Sequence, residues 1–190
     1  MPSNVEIKAR VADLAVIRER ALALGAVPTG SFDQEDVFFR SRAAWPNHAP
    51  RPPGLKIPPT KRLKLRIFAP DRGELISYER PDSTGPKVSD YHIARTSKPA
   101  VTRAQLTEMF GELATVRKWR ELLLIGQTRI HLDQVEGLGD FVELEVALWP
   151  GQSAEDGAAI AEVLLAGLGI AREQLMAEAY VDLLLAKPPC

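Results

Sequence analysis

Cysteine is almost missing from this chain. Cys190 is the only one, which excludes an internal disulfide framework and a cysteine-rich metal site. No segment approaches the roughly 20 apolar residues of a membrane span, and no apolar stretch of signal-peptide length stands near the start. A soluble, cytoplasmic protein with no membrane partner is the expectation. A surplus of charge is missing too. With 24 basic against 25 acidic side chains and a formal net charge of −1, the chain lacks the basic excess of a general nucleic-acid or membrane-surface binder. There is no glycine-rich phosphate loop and no repeat of solenoid period. No Ser–His–Asp arrangement can be argued from His48, His92 and His131.

What is present is enough for one domain with a real core: 190 residues, 45% of them hydrophobic. Residues 1–187 are expected to form it. Period-two alternation marks strands at 4–11, 34–40, 61–69, 74–80, 91–96, 114–126, 128–135 and 140–149. Asp13 reads as the N-cap of a helix over 14–24, which Gly25 closes. Further helices are expected over 102–113 and 153–168, and a last one from Arg172 toward Leu185. Residues 41–61 carry Pro46, Pro50, Pro52, Pro53, Pro58 and Pro59 without periodicity, and read as a loop inside the domain. Short connections between most strands favour an α+β protein: an antiparallel, barrel-like sheet flanked by helices.

Charge sits inside those strand patterns. Alternate residues of a strand share a face about 6–7 Å apart. Asn4-Val5-Glu6-Ile7-Lys8-Ala9-Arg10 puts Glu6, Lys8 and Arg10 on one face. Arg62, Lys64 and Arg66 share another, and Lys118 and Arg120 a third. Glu143 and Glu145 share a face on a strand whose preceding hairpin partner ends in Asp133. Solvated strand faces explain one such pattern well. Charge on five strands, counting the one that ends in Asp133, in a sheet that also needs helices on its outside, points to a cavity walled by acids and bases. Glu6, Asp133, Glu143 and Glu145 are hard oxygen ligands suited to Mg²⁺ or Mn²⁺. His131 could join them, although a lone histidine more often serves as a hydrogen-bonding group. The cations suit phosphate oxygens. Pairing across strands, such as Lys8 with Glu143, is the competing role.

In the order and spacing of these pieces the chain resembles the CYTH superfamily, which groups class IV adenylate cyclases with thiamine and inorganic triphosphatases. The resemblance runs from residue 4 to about 185. It rests on Asn4-Val5-Glu6-Ile7-Lys8, read as a Glu-x-Glu-x-Lys strand with Asn4 for the first glutamate, and on Leu63-Lys64-Leu65-Arg66 and Lys118-Trp119-Arg120. Asp133, Gly139-Asp140-Phe141-Val142-Glu143-Leu144-Glu145 and Ala179-Tyr180-Val181-Asp182-Leu183-Leu184 complete it.

The resemblance implies an eight-stranded antiparallel tunnel that binds a triphosphate-containing small molecule with Mg²⁺ or Mn²⁺, and it is compatible with a homodimer. Lys8, Arg10, Arg62, Lys64, Arg66, Lys118 and Arg120 would bind substrate, with Lys8, Lys64, Arg66 and Arg80 nearest the chemistry. Glu6, Asp133, Glu143 and Glu145 would hold metal. Hydrolysis and cyclisation of ATP to cyclic AMP and pyrophosphate use the same apparatus. Asn4 brings no charge, and Arg80 stands where related chains often carry lysine, so a non-catalytic polyphosphate- or nucleotide-binding module is the alternative.

Overall fold

Charged alternation on one side of the strands leaves the other side to bury apolar residues, and two groups of helices cover that side. The computed structural model describes residues 4–40, 62–79 and 90–187. The proline-rich segment 41–61 and Arg80 lie outside the described residues. The strands are β1 (Asn4–Arg10), β2 (Val27–Phe39), β3 (Arg62–Ala69), β4 (Arg72–Glu79), β5 (Asp90–Thr96), β6 (Glu112–Ile125), β7 (Thr128–Val135), β8 (Gly139–Ala147) and β9 (Leu175–Met176). The helices are α1 (Leu14–Ala23), α2 (Pro99–Phe110), α3 (Ala154–Leu168) and α4 (Tyr180–Leu185). None of the helices is long and apolar enough to cross a membrane.

All strand pairs are antiparallel, in the order β5-β4-β3-β2-β6-β7-β8-β1-β9. This corrects the expected eight-stranded barrel. Among the described residues the sheet has nine strands and is not closed. Closure would need β5 to pair with the outer edge of β1. That edge is taken by β9, through Lys8 opposite Met176 and Ala9 opposite Leu175.

The same contact explains a second correction. The segment expected as one helix from Arg172 to Leu185 is a single 3₁₀ turn at Arg172–Gln174, then β9, then α4. Pairing with an open strand edge competes successfully with continuing the helix, because it satisfies backbone groups that β1 would otherwise leave exposed. β2 also starts at Val27 rather than residue 34. Its early half, with Pro28 and Gly30, has poor strand propensity but is held by β6 as far as Leu124, across a register shift between Pro28 and Gly30.

On the covered face, Val5, Leu123, Ile130, Leu132, Val142, Leu144 and Val146 pack against Ile17 and Ala21 of α1 and Ala161, Leu164, Leu165 and Leu168 of α3. Each large aliphatic chain buried there contributes about 1.5–3 kcal/mol. Asp13 Oδ1 caps α1 by accepting from Ala15 N and Val16 N. Ser153 and Asp156 form a capping box on α3. Gly157 lets α3 sit close: a Cβ there would lie 2.7 Å from Val5 Cγ2 and 2.6 Å from Leu148 Cδ2. Beside this cluster, α2 covers Val37, Phe39, Leu63 and Leu65 through Leu106. It begins at Pro99, three residues before the expected start, because proline suits the first helical turn.

Among the described residues, the opposite face receives the chain's C-terminal region. Ala179, Tyr180 and Val181 pack there on Phe38, Val116, Val135, Leu138 and Phe141. The charged residues share the rest of that face with a few apolar ones, Ile76 and Ile93 among them.

Candidate active site

The charged face encloses a cavity of about 360 Å³. Its wall follows strand parity. Asn4, Glu6 and Lys8 come from β1, Asp36 and Phe38 from β2, and Lys64 and Arg66 from β3. Val116, Lys118 and Arg120 come from β6, Arg129 and His131 from β7, and Glu143 and Glu145 from β8. Ile76 and Tyr78 of β4, Ile93 of β5, and Ala179 and Tyr180 complete the lining. Among the described residues it therefore presents six cationic side chains and four carboxylates, an excess that favours an anion.

Charges removed from water must be paired, and the pairing here is dense. Asp133 is wholly buried behind the cavity wall. Its carboxylate accepts from Lys118 Nζ at 2.9 Å, from Arg120 Nε and Nη2 at 2.5 Å each, and from the Tyr180 hydroxyl at 2.9 Å. Arg120 Nη2 also reaches Glu143 Oε2 at 2.6 Å, and Lys8 Nζ lies 3.1 Å from Glu143 Oε1. The Tyr180 ring stands under both lysines, with Lys8 Nζ 4.0 Å and Lys118 Nζ 5.0 Å from its centroid. A second knot forms on β2 and β3. Asp36 accepts from Lys64 Nζ at 2.8 Å and from Arg66 Nε at 2.9 Å and Nη2 at 3.2 Å.

The protonation states follow from these contacts. Burial opposes ionisation of Asp133, Asp36 and Glu143, but adjacent cations outweigh it and hold all three below the usual carboxylate range. Lys118 and Arg120 act on Asp133, Lys64 and Arg66 on Asp36, and Lys8 and Arg120 on Glu143. Burial, reinforced by Glu143 and Asp133, pushes the Tyr180 phenol well up, so it remains a donor. Burial and the neighbouring Arg66 lower Lys64 to about 8. His131 is lowered by burial and by Arg120, which favours the neutral imidazole.

At the other end of the cavity, Glu6 and Glu145 stand directly opposite each other on β1 and β8, a like-charge pair that is unfavourable without a cation. Arg129 takes part of that role, with Nε 2.9 Å and Nη2 2.6 Å from the Glu145 carboxylate. Asn4 Nδ2 donates to Glu145 as well. Asn4 Oδ1 and His131 Nδ1 are buried without a hydrogen-bond partner. The two His131 nitrogens lie 3.7 Å from Glu143 and Glu145 oxygens.

Residues 3–180 match the model of the CYTH domain. This chain belongs to the CYTH family. Its fold is similar to that of the PH1012 protein of Pyrococcus horikoshii OT3, at 23% identity and TM-score 0.76 over 95% of this chain and 98% of that one. It is also similar to a putative adenylate cyclase of Vibrio parahaemolyticus, at 19% identity and TM-score 0.69 over 96% and 98% of the two chains. A third likeness is to HpAC1 of Hippeastrum, a putative adenylyl cyclase described as having a dominant triphosphatase activity, at 14% identity and TM-score 0.64 over 97% and 94%. These likenesses are of fold. No curated protein matches the chain.

Within the CYTH cavity stand Lys8, Lys64, Arg66, Lys118, Arg120, Glu6, Glu143 and Glu145. Asp133 is behind the wall, saturated by the donors named above. Arg10 and Arg62 do not line it. Arg10 donates to Leu138 O at 2.9 Å and its guanidinium lies 4.8 Å from the Phe141 ring. Arg62 donates to Asp182 Oδ2 of α4 at 2.7 Å. Arg80 lies outside the described residues.

Sequence reasoning missed Asp36, Arg129 and Tyr180. Arg129 shares strand parity with His131 and Asp133, so its signal was available. Asp36 adjoins Glu35, and without the register nothing said which acid faced the cavity. Tyr180 was visible only as part of a terminal motif.

Proposed function

We propose that the protein is a metal-dependent enzyme acting on a triphosphate, with hydrolysis the preferred reaction. The observation that carries this reading is the meeting of Lys8, Lys64, Arg66, Lys118 and Arg120 with Glu6, Glu143 and Glu145 in one cavity. The five cations would hold the phosphate oxygens and spread the charge that develops during phosphoryl transfer. Asp133 and Tyr180 would aim Lys118 and Arg120, because every oxygen of Asp133 already receives a donor.

Glu6, Glu143 and Glu145 would hold the cation, helped by the unpartnered Asn4 Oδ1 and His131 Nδ1. Among the described residues no group of three or more His, Cys, Asp or Glu could hold a metal by itself. The donor chemistry therefore fits a Mg²⁺ or Mn²⁺ ion that arrives with its triphosphate and completes its shell with phosphate oxygens. When bound, such an ion neutralises phosphate charge and orients the attacking oxygen.

Product analysis tests the assignment. The purified protein is incubated with ATP, inorganic triphosphate or thiamine triphosphate, each with Mg²⁺ and with Mn²⁺. Orthophosphate release is expected. Cyclic AMP with pyrophosphate would instead make it a cyclase. Asn4, uncharged where a glutamate is usual, motivates the second reading of a non-catalytic binder. That reading prevails if triphosphate raises the melting temperature and no product forms.

Lys64 supplies a pH signature. Its folded pKa of about 8 lies below its ordinary 10.5. Between those values the unfolded chain binds more protons, so this group's contribution to stability rises with pH across that window. Binding runs the other way, because the ammonium that would face phosphate is lost above about pH 8. The expected result is a fall in kcat/KM for inorganic triphosphate above about pH 8. Lys64→Arg, which stays protonated, should remove that inflection. An unchanged inflection in the variant would assign it to another group.

A further inference from the structure

Three charged residues stand in one row across neighbouring strands. Arg129 of β7 is directly opposite Glu145 of β8, and Glu145 is directly opposite Glu6 of β1. Directly opposed side chains in an antiparallel sheet have Cβ atoms about 4.5–5.5 Å apart. All three line the cavity. Both oxygens of Glu145 are taken: Arg129 Nε donates to Oε2 at 2.9 Å and Nη2 to Oε1 at 2.6 Å, and Asn4 Nδ2 donates to Oε1 as well. A divalent ion cannot take Glu145 while a guanidinium forks over both of its oxygens, because the two cations would repel at contact distance.

The cations that hold Glu143 and Glu145 differ in their freedom to leave. On Glu143, the side chains of Lys8 and Arg120 are 2% and 7% exposed, whereas that of Arg129 on Glu145 is 41% exposed. Lys8 also donates to Glu178 O, and Arg120 is fixed by Asp133. Arg129 already meets water, and ion pairs at such exposure contribute little and exchange readily. Asn4 suits the same exchange. With a neutral residue there, this end of the cavity holds two carboxylates, Glu6 and Glu145, rather than three. Its Oδ1 is buried without a hydrogen-bond partner, so it adds an acceptor and no charge.

We propose that Arg129 is an exchangeable counter-ion. It occupies Glu145 in the empty cavity, yields that carboxylate to the divalent ion that enters with a triphosphate, and turns its guanidinium to a phosphate oxygen. This rests on the triphosphate reading above and deepens it, because it says why metal and phosphate bind together. Metal alone would leave Arg129 beside an ion with nothing to pair with in exchange. Phosphate supplies that partner, and a planar guanidinium fork matches its oxygens. Each ligand therefore strengthens the other, and the effect is reciprocal by linkage.

The test uses the full chain as wild type, Arg129→Gln and Arg129→Lys. Electron paramagnetic resonance gives the affinity for Mn²⁺ alone, and calorimetry gives the affinity for the complex of Mn²⁺ with inorganic triphosphate. Arg129→Gln should bind Mn²⁺ alone about fivefold more tightly than wild type, the factor expected for loss of one exposed competing pair. It should bind the Mn²⁺–triphosphate complex about tenfold less tightly, through loss of one charged phosphate contact. Arg129→Lys keeps a charge without the fork and should fall between the two in both measurements. A residue that only supported the fold would lower both affinities together. If Arg129→Gln does not fold, Arg129→Lys decides by the same opposite directions at smaller factors. The exchange is wrong if removing the guanidinium leaves Mn²⁺ affinity unchanged or lowers it, or if the complex still binds as it does to wild type. If wild type binds no Mn²⁺–triphosphate complex, the triphosphate reading fails and the exchange falls with it. Binding of that complex to wild type therefore separates the two failures.

Discussion

Asp133→Ala should destabilise the protein by about 3–5 kcal/mol, the usual consequence of removing one partner from a buried charge cluster. The carboxylate is wholly buried and receives Lys118, both forks of Arg120 and the Tyr180 hydroxyl. Its loss leaves Lys118 without its nearest counter-charge, a phenol without an acceptor, and Arg120 dependent on Glu143 alone. Urea unfolding followed by circular dichroism reads the effect as a lower midpoint at unchanged slope. A loss under about 1 kcal/mol would mean that water or other acids replace Asp133 readily, and that it does not organise the cradle. The folded pKa of Asp133 lies below its ordinary value. Its contribution is therefore present at neutral pH and fades as pH falls through that lowered value. The gap between variant and wild type should narrow in acid.

Glu143→Ala and Glu145→Ala should each cut metal-dependent turnover on the order of 100-fold or more, as expected when charge stabilisation worth several kcal/mol is removed. The two variants should differ in a second measurement. Glu143 restrains Lys8 and Arg120, so Glu143→Ala removes a counter-charge from two cations of the cradle, with Arg120 still held by Asp133. Without metal it should bind inorganic triphosphate more tightly than wild type while turning it over more slowly. Glu145 is held by Arg129 and Asn4, at the end of the cavity where Glu6 also stands. Its replacement should raise the Mn²⁺ concentration needed for half-maximal rate. Full activity in both variants would overturn the metal assignment.

These expectations required more than the residues that announce themselves. Glu143 and Glu145 were legible because two acids in a strand of otherwise apolar alternation must share a face. Asp133 was legible as an acid beside them, yet its work could not be read. Only the register, Arg120 opposite Asp133 and Trp119 opposite Gln134, puts the cavity-wall cations Arg120 and Lys118 on its oxygens. Arg62 carries the same parity as Lys64 but is drawn to Asp182 on α4, a partner 120 residues away that no local pattern reveals. Tyr180 reaches the site because Leu175 and Met176 add to the edge of β1 and turn the chain onto the charged face.

By itself the sequence determined most of the elements and their sidedness: alternation of period two set which residues of each strand share a face, and caps such as Asp13 and Ser153 set where helices begin. The family was legible from the order of its charged strands. Tertiary structure alone decided the open sheet of nine strands among the described residues, the burial of Asp133 and the exclusion of Arg10 and Arg62. The physical reason is that parity is a local property of one strand, whereas register and edge pairing are settled by competition among distant strands for the same backbone hydrogen bonds.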